Sequence, residues 1–336
     1  MFATYIHDLN PILLQLGETI AIRWYGIAYL MGFVAGYFLL KYLSGKNLYP
    51  IAQEKLSDFI TWTAVFGVLL GGRLGYVIFY WIPNRGLDAF LADPLTAVRV
   101  WEGGMASHGG IIGVTLFTLY YARKHGINWV AITDGLAIVA PVGLFFGRMA
   151  NFINGELYGR IIHSHSWVGM KFPAELHENM QLRHQALQKI YDECPDSILQ
   201  NLAAASPLPD RADAYSAQWM IERVRDTPAI KDIVGSVLPE RYPSQLYEGL
   251  AEGIILFTVL WGIRILYPKA YNGIFSGIFC FLYAIGRIIV ENYREPDSPV
   301  WFNLTRGQFL SLFLFLIGTG FFIYAFKTKK TVQTVN

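Results

Sequence analysis

Polar side chains are concentrated in one short stretch, GRMANFINGELYGR at residues 147–160, which follows directly after the apolar run VAITDGLAIVAPVGLFF. The stretch holds two arginines, two asparagines and one glutamate. The planar guanidinium of arginine can hold an anion through two parallel hydrogen bonds, and asparagine and glutamate add further donors and acceptors. These residue types predict a polar cluster whose members pair with one another or with a bound ligand.

A second motif, GRIIVENYREPD at residues 286–297, carries charges at helical spacing. Arg287, Glu291 and Arg294 are four and three positions apart, so we expect them to share one face of a helix. A charged side chain inside hydrocarbon costs at least about 2.5–3.5 kcal/mol. Such a face is therefore expected to turn away from lipid, towards other polar groups or a ligand.

Three further segments contribute polar residues of the same kind. The segment that begins YPSQLYE has a polar face made of Gln245, Glu248 and Glu252. His108 lies in the glycine-rich segment EGGMASHGGIIG, and Tyr25 directly follows a tryptophan. We expect Tyr25, His108 and the YPSQLYE motif to open three separate helices. Arg73 is a lone charge within another apolar run, where it supplies a positive field or pairs within the bundle.

The elements that carry these motifs are expected to be membrane-spanning helices. Of 336 residues, 54% are hydrophobic and 15% charged, and the mean hydropathy is +0.35, which is far more apolar than a soluble enzyme. Crossing about 30 Å of hydrocarbon takes about 20 apolar residues. Windows of that kind predict seven spans, at residues 20–43, 59–82, 103–122, 129–147, 243–266, 271–293 and 306–326.

The region between the fourth and fifth spans has a different composition. Residues 161–242 are rich in charge and proline, and they contain no window apolar enough to span. The predicted fold is an all-α polytopic membrane protein of seven helices, with this region as an extracytoplasmic head. The corresponding division is residues 1–160 for spans one to four, 161–242 for the head, and 243–336 for the last three spans and a cytoplasmic tail.

Lysine and arginine in the short loops predict the orientation, because cytoplasmic loops carry an excess of them. One set of loops holds Lys41, Lys46, Lys55, Arg123, Lys124, Arg264, Lys269, Lys327, Lys329 and Lys330. The opposite set, apart from the head, holds Arg85, Arg99, Arg294 and Arg306. The carboxyl terminus is therefore predicted to be cytoplasmic and the amino terminus outside. Five polar helix ends then meet at the outer level of the bundle, where we expect a polar cavity that opens outward.

Metal and cofactor chemistry are not indicated. Cys194 and Cys280 are too few for a disulfide framework, and no Cys/His quartet has zinc spacing. The histidines of the predicted head are His163, His165, His177 and His184. HENMQ lacks the second histidine of a zinc protease, so these are expected to be solvated head residues. We expect no metal, no cofactor and no nucleic-acid partner.

Taken in order, HGGIIG, GRMANFINGELYGR, YPSQLYE and GRIIVENYREPD resemble the signatures of the prolipoprotein diacylglyceryl transferases, from Trp24 to about Arg306. The resemblance implies a bacterial inner-membrane transferase, active towards the outer leaflet. It would move the diacylglyceryl group of phosphatidylglycerol to the lipobox cysteine thiol of a prolipoprotein signal peptide and release glycerol phosphate. Tyr242 stands where the family usually has histidine, Ser107 stands where it has an aromatic residue, and the head is longer than expected.

The resemblance also implies two sets of site residues. The lipid- and phosphate-binding set is Arg148, Arg287, Asn154 and Arg294. The catalytic set is His108, Tyr25, Asn151, Glu156, Gly159 and Glu291. Displacing a phosphate ester at carbon requires that its negative charge be held as it leaves, and arginine suits that task. Glu156 and Glu291 are expected to orient the arginines.

Several of these residues have alternative roles. Each arginine could simply pair with Glu156 or Glu291 to hold the bundle together. His108 could take the thiol proton, with Gly109 and Gly110 allowing close substrate approach, or it could be a structural histidine at a helix end. Tyr25 could donate to phosphate or anchor the helix at the interface.

The remaining members of the two sets and the activity itself have alternatives too. Asn151 and Asn154 could bind the glycerol head group, with a structural role favoured for Asn154. Gly159 is expected where a side chain would clash. A transporter with a polar site is the alternative function, and an intramembrane protease a third.

Overall fold

The computed structural model describes residues 4–17, 20–99, 103–164, 166–194, 212–296 and 304–333. The strands are β1 (Tyr5–Ile6), β2 (Ile12–Leu16), β3 (Ile20–Arg23) and β4 (Met170–Lys171). The helices are α1 (Trp24–Gly45), α2 (Gln53–Arg85), α3 (Leu87–Ala92), α4 (Ser107–His125), α5 (Trp129–Asn154), α6 (Met180–Glu193), α7 (Ala212–Asp226), α8 (Pro228–Val237), α9 (Ser244–Leu266), α10 (Ile274–Val290) and α11 (Arg306–Thr328). The protein is therefore mostly helical, as predicted.

Each of the seven predicted spans overlaps one helix, but the helices differ in how apolar they are. By length and hydropathy, α1, α2, α5, α9 and α11 could each cross a membrane, and α10 is a shorter apolar helix of 17 residues. Helix α4 begins SHGG and ends ARKH, and these polar ends lower its hydropathy. The chain is a multi-pass membrane protein, and the count of seven spans stays a prediction.

The described chain divides into two compact units. The first contains residues 1–32, 142–256 and 282–313, and the second contains residues 33–141, 257–281 and 314–336. The boundaries fall inside α1, α5, α9, α10 and α11, so each of these helices contributes to both units. The predicted division at residues 160 and 242 is a different one and stays a prediction.

The first unit holds the predicted head and the amino-terminal residues. Strand β1 pairs in parallel with β4, with Tyr5 opposite Met170 and Ile6 opposite Lys171. Helices α6, α7 and α8 pack around a hydrophobic core that includes Ile190, Met220 and Val234, each fully buried. The amino terminus is therefore part of the head's own structure.

Glycines set the packing of α2 against α4 in the second unit. A Cβ atom on Gly109 would lie 2.4 Å from the Gly71 carbonyl oxygen and 2.6 Å from the Gly75 Cα, so only glycine fits there. The expectation that Gly109 allows substrate approach is wrong, because its missing side chain is used by the neighbouring helix. Gly110 has more room, with 3.9 Å to the nearest atom.

Arg73 has a structural role in the same unit. Its side chain, 2% exposed, donates from Nε and Nη2 to the carbonyl oxygen of Thr96 at 3.0 and 2.8 Å. Nη1 donates to the carbonyl of Gly103. The guanidinium thereby ties the segment before α4 to α2, which agrees with the predicted pairing of Arg73 within the bundle.

Candidate active site

Arg148, in the last third of α5, is held by two carboxylates of α9. Its Nη1 lies 3.0 Å from Glu248 Oε2, and its Nη2 lies 3.0 Å from Glu252 Oε2. Both carboxylates are completely buried, whereas 18% of the Arg148 side chain is exposed. The guanidinium is thus held by negative charge, while part of the Arg148 side chain remains accessible.

Arg287, on α10, shares the same carboxylates. Its Nη1 lies 2.5 Å from Glu248 Oε1 and 3.7 Å from Glu252 Oε1, and its Nη2 lies 2.9 Å from Glu291 Oε2. The Arg287 side chain is 15% exposed. Two guanidiniums from different helices are therefore brought together by one pair of carboxylates.

Arg294 completes the cluster, although not as predicted. The expected pairing of Arg287 with Glu291 at a spacing of four is confirmed, but α10 ends at Val290, so a helical face does not extend to Arg294. Arg294 instead forms a β-bridge with Gly159 and donates from Nη1 to Glu248 Oε1 at 2.8 Å. Asp297, at the end of the motif, lies outside the described residues.

Glycines and a local change of helix type bring α9 close to α5. A Cβ atom on Gly249 would lie 2.9 Å from the Met149 side chain, and one on Gly253 would lie 2.7 Å from the Phe145 Cβ. Residues Gly249–Ile255 form a π-helical segment, a local form that is frequent at functional sites. Glu252 lies within this segment and Glu248 just before it.

The stretch after Arg148 builds a second polar group in the same unit. Asn151, buried on α5, donates from Nδ2 to Glu156 Oε1 at 2.8 Å and to the hydroxyl of Tyr25 at 3.3 Å. Glu156 was expected to orient an arginine. That expectation is wrong, because the described hydrogen-bond partner of its carboxylate is Asn151.

The turn that carries Glu156 is held by side chains of the YPSQLYE motif. Gln245 donates to the Glu156 carbonyl at 2.7 Å, and Ser244 donates to the Leu157 carbonyl at 2.8 Å. Leu157 has a φ of 58°, a left-handed conformation that costs a side-chain-bearing residue about 1–3 kcal/mol. The two motifs are therefore one structural assembly.

Gly159 and Tyr242 meet in this assembly. A Cβ atom on Gly159 would lie 2.4 Å from the Tyr293 carbonyl oxygen and 2.6 Å from that of Tyr242, so the predicted clash is confirmed. The Tyr242 ring packs edge-on against Tyr293 at 5.2 Å. The tyrosine that departs from the family pattern is thus part of an aromatic cluster.

His108 and Asn154 are not among the hydrogen-bond and ion-pair partners described above. His108 is the second residue of α4, as predicted, and it is exposed, as is the neighbouring Ser107. It belongs to the second unit, whereas the arginines and carboxylates belong to the first. Asn154 ends α5, and within the described residues its Oδ1 is buried without a hydrogen-bond partner.

A second buried ion pair, which no sequence pattern predicted, lies at the base of the head. Arg241 donates to both oxygens of Glu175, at 2.7 and 2.5 Å, and its guanidinium lies 4.8 Å over the Tyr158 ring. Burial opposes the charge of Arg241, but Glu175 holds the pKa of this guanidinium above its ordinary value. Residues 66 positions apart in sequence give no local signal of such a pair.

The geometry of the main cluster suits an anion. Arg148 and Arg287 are both positive, both oriented by fixed carboxylates and both partly exposed, so they can offer donors to one phosphate group. Preorganised donors of this kind stabilise charge that develops during a reaction, without reorganisation. Among the residues that the structure describes, no group of three His, Cys, Asp or Glu side chains could hold a metal ion, and His165 lies outside them.

Comparison with known proteins agrees with this chemistry. The family model of prolipoprotein diacylglyceryl transferase matches residues 11–324. Proteins named phosphatidylglycerol–prolipoprotein diacylglyceryl transferase are similar along nearly the whole chain. The one from Bdellovibrio bacteriovorus is 37% identical, over 93% of this chain and 92% of its own length. Those from Neisseria meningitidis serogroup B and Allorhizobium ampelinum are 35% and 34% identical, over 96% and 93% of this chain and 98% and 88% of their own lengths.

Proposed function

The chain belongs to the prolipoprotein diacylglyceryl transferase family, and we propose that its buried arginine–glutamate cluster holds the phosphate of the donor lipid during transfer. It is a transferase that moves the diacylglyceryl group of phosphatidylglycerol to a prolipoprotein, the first step of lipoprotein lipidation. The alternative of a transporter has no support in these comparisons.

One observation carries the proposal. Arg148 and Arg287, on α5 and α10, share Glu248 and Glu252 at 2.5–3.7 Å, yet each keeps 15–18% of its side chain exposed. If the arginines served only to hold the bundle together, they would gain nothing from this exposure. Access to both side chains is what a bound phosphate needs.

The reaction breaks the bond between the diacylglyceryl carbon and the phosphate oxygen, while the cysteine thiolate of the acceptor forms a thioether at that carbon. Glycerol phosphate leaves with the electron pair of the broken bond. The arginine pair stabilises the charge that grows on the leaving oxygen. We propose that Asn151 and Tyr25, which belong to the same unit and are joined by a hydrogen bond of 3.3 Å, bind the glycerol head group.

The acceptor thiol has to lose its proton before or during this step, since the thiolate is the nucleophile. His108 is one candidate base, and its exposed side chain at the start of α4 is accessible to a substrate. The positive field of the arginines is the other source of activation. If His108 is the base, His108→Gln removes the acid limb of the pH–rate profile; if the limb persists, the limb belongs to the thiol.

For the membrane topology we propose an inner-membrane protein with its amino terminus and head outside and its carboxyl terminus cytoplasmic. The pairing of β1 with β4 requires both strands to be on one side of the membrane, so an even number of spans separates them. Helices α1, α2 and α5 meet the length and hydropathy test in that interval, and α4 supplies the fourth crossing. The direction of insertion is supported by the lysine and arginine content of the short loops, which is higher on the side proposed to be cytoplasmic.

The proposal is tested by reconstitution. Purified protein, phosphatidylglycerol and a peptide with a lipobox cysteine are expected to give a peptide that gains the mass of one diacylglyceryl group, together with free glycerol phosphate. A peptide with serine in place of the cysteine is the control and should gain nothing. Absence of the mass gain with the cysteine peptide, in protein that retains its helical content, would contradict the proposed acceptor.

A further inference from the structure

The arginine cluster is electrically balanced before a ligand binds. Its three guanidiniums are those of Arg148, Arg287 and Arg294, and its three carboxylates are those of Glu248, Glu252 and Glu291. Every guanidinium has at least one carboxylate within 3.0 Å. A phosphate that binds to the arginines therefore adds negative charge to a neutral group, and each further charge on the phosphate is opposed by the carboxylates behind it.

Glu252 differs from Glu248 in the number of guanidiniums that it contacts closely. Glu248 contacts all three guanidiniums at 2.5–3.0 Å. Glu252 accepts from Nε and Nη2 of Arg148 through Oε2, at 3.3 and 3.0 Å, but it lies 3.7 Å from Arg287 and has no ion pair with Arg294 among the described contacts. It is completely buried, so solvent does not screen its charge.

Glu252 also faces both of the guanidiniums that bind phosphate in the proposed function. The charged or titratable side chains that interact with it are Arg148 from α5, Glu248 from α9, and Arg287 and Tyr283 from α10. Removing its charge leaves Glu248 to hold the two arginines in place. Its negative charge is therefore a part of the site that can be altered without dismantling the cluster.

The donor and the product of the reaction differ in charge. Phosphatidylglycerol carries its phosphate as a diester with one negative charge, whereas glycerol phosphate is a monoester with a second pKa of about 6 and so carries close to two at neutral pH. A fixed, unscreened carboxylate next to the binding arginines opposes the second charge more than the first. The binding of glycerol phosphate is thereby weakened at the stage of the reaction when this product has to leave.

We infer that Glu252 determines specificity for phosphate charge: it favours the singly charged donor over the doubly charged product and so promotes release of glycerol phosphate. This rests on the proposed phosphate-binding role of Arg148 and Arg287. The role is distinct from holding an arginine in place, because it predicts that loss of the carboxylate strengthens anion binding.

The test is Glu252→Gln, which keeps the shape and a hydrogen-bonding oxygen but removes the charge. We expect the KM for phosphatidylglycerol to fall about ten-fold, kcat to fall, and inhibition by added glycerol phosphate to strengthen by more than the fall in KM. Glu222→Gln, on the exposed face of α7, is the matched control and should change none of these. A raised KM, or glycerol phosphate inhibition equal to that of the unaltered protein, would overturn the inference.

A second measurement needs no variant. In the unaltered protein, glycerol phosphate should inhibit more strongly at about pH 5.5, where it is largely a monoanion, than at about pH 7.5, where it is largely a dianion. This preference should shrink or reverse in Glu252→Gln. Stronger inhibition at the higher pH would contradict the proposed role of Glu252, but it would not contradict the phosphate site itself. No inhibition at either pH, with Arg148→Ala transferring lipid normally, would instead remove the proposed phosphate site.

Discussion

Buried arginines in the two units have different partners. In the first unit, Arg148 and Arg287 are bound by side-chain carboxylates, and each side chain is partly exposed. In the second unit, Arg73 is 2% exposed and donates to the backbone carbonyls of Thr96 and Gly103. The first arrangement presents a guanidinium to a ligand, and the second uses a guanidinium to fix the chain.

Other buried charges of the second unit follow the pattern of Arg73. Asp134 accepts hydrogen bonds from the backbone nitrogens of Gly273 and Ser276, at 2.7 and 2.8 Å, and so caps the amino-terminal end of α10. Arg264 donates to the Leu48 carbonyl at 2.8 Å. An arginine within an apolar run is therefore not by itself evidence of a ligand site. The nature of its hydrogen-bond partners indicates whether it binds a ligand or fixes the chain.

The largest effect is expected at Arg148. Arg148→Ala removes a donor to the phosphate, and transfer should fall at least about 10²–10³-fold while the protein still inserts. Arg148→Lys should recover little of this activity, because an ammonium lacks the planar fork. The measurement is diacylglyceryl transfer to a lipobox peptide, with Arg223→Ala on the exposed face of α7 as the control. If Arg148→Ala transferred lipid at the rate of the unaltered protein, Arg148 would be a structural arginine like Arg73.

Arg73 should show the reverse behaviour. Arg73→Ala leaves the carbonyls of Thr96 and Gly103 without this donor, and a hydrogen bond to a charged group contributes about 1.5–3 kcal/mol. We expect a lower unfolding temperature in detergent, with KM for the donor lipid unchanged in the protein that remains folded. If KM rose several-fold at unchanged stability, Arg73 would belong with the ligand-binding arginines.

The glycine contact of the second unit gives a smaller effect with a neighbouring control. Gly109→Ala would place a methyl group 2.4–2.6 Å from the α2 backbone, and overpacking of this kind costs about 1–3 kcal/mol. Gly110→Ala meets its nearest atom at 3.9 Å and should be tolerated. Thermal unfolding of both variants measures the difference. Equal stability of the two would mean that α2 and α4 do not pack as described.

The smallest effect concerns His7, a buried residue of the head that stacks on Phe172. Burial lowers the pKa of its imidazole below the ordinary 6.5, so the unfolded chain binds the proton more readily than the folded one. Stability contributed by neutral His7 is thus present above pH 6.5 and is lost as the pH falls from there towards the folded-state pKa. The unfolding temperature of the unaltered protein should drop over this pH range, and that of His7→Gln should drop less.

A nearby ion pair allows this effect to be distinguished from general acid sensitivity. Burial opposes the charge of Asp8, but Lys231, at 2.5 Å, keeps the pKa of this carboxyl below its ordinary 3.8. Its contribution is lost only at lower pH. A drop between pH 6.5 and 5.5 that is identical in His7→Gln and the unaltered protein would show that His7 is not its source.

The sequence predicted those features that depend on local pattern. Apolar length located the seven helices α1, α2, α4, α5, α9, α10 and α11, and the Glu248 and Glu252 spacing of four placed two carboxylates on one face of α9. The partners of these carboxylates depend on how α5, α9 and α10 pack, which no local pattern contains. For the same reason Glu156 was assigned to an arginine rather than to Asn151, and Gly109 to a substrate rather than to α2.

Helix ends were the other source of error. Glu291 and Arg294 have helical spacing, but α10 ends at Val290 and the chain turns. Arg294 still reaches Glu248, through a β-bridge beside Gly159 rather than along a helix. Spacing therefore identified the right residues and the Arg287–Glu291 pair, but not the way in which Arg294 reaches Glu248.

The pairing of β1 with β4 has a consequence for biogenesis. Tyr5 leaves the ribosome about 165 residues before its partner, Met170, so the amino-terminal strand has to wait until the intervening helices are in the membrane. Contacts of such wide separation in sequence form slowly, because the connecting chain has to be ordered first. Strand β1 is thus synthesised before the helices that separate it from β4 but reaches its final place after them, and a bulky insertion next to β1 would hinder this late step.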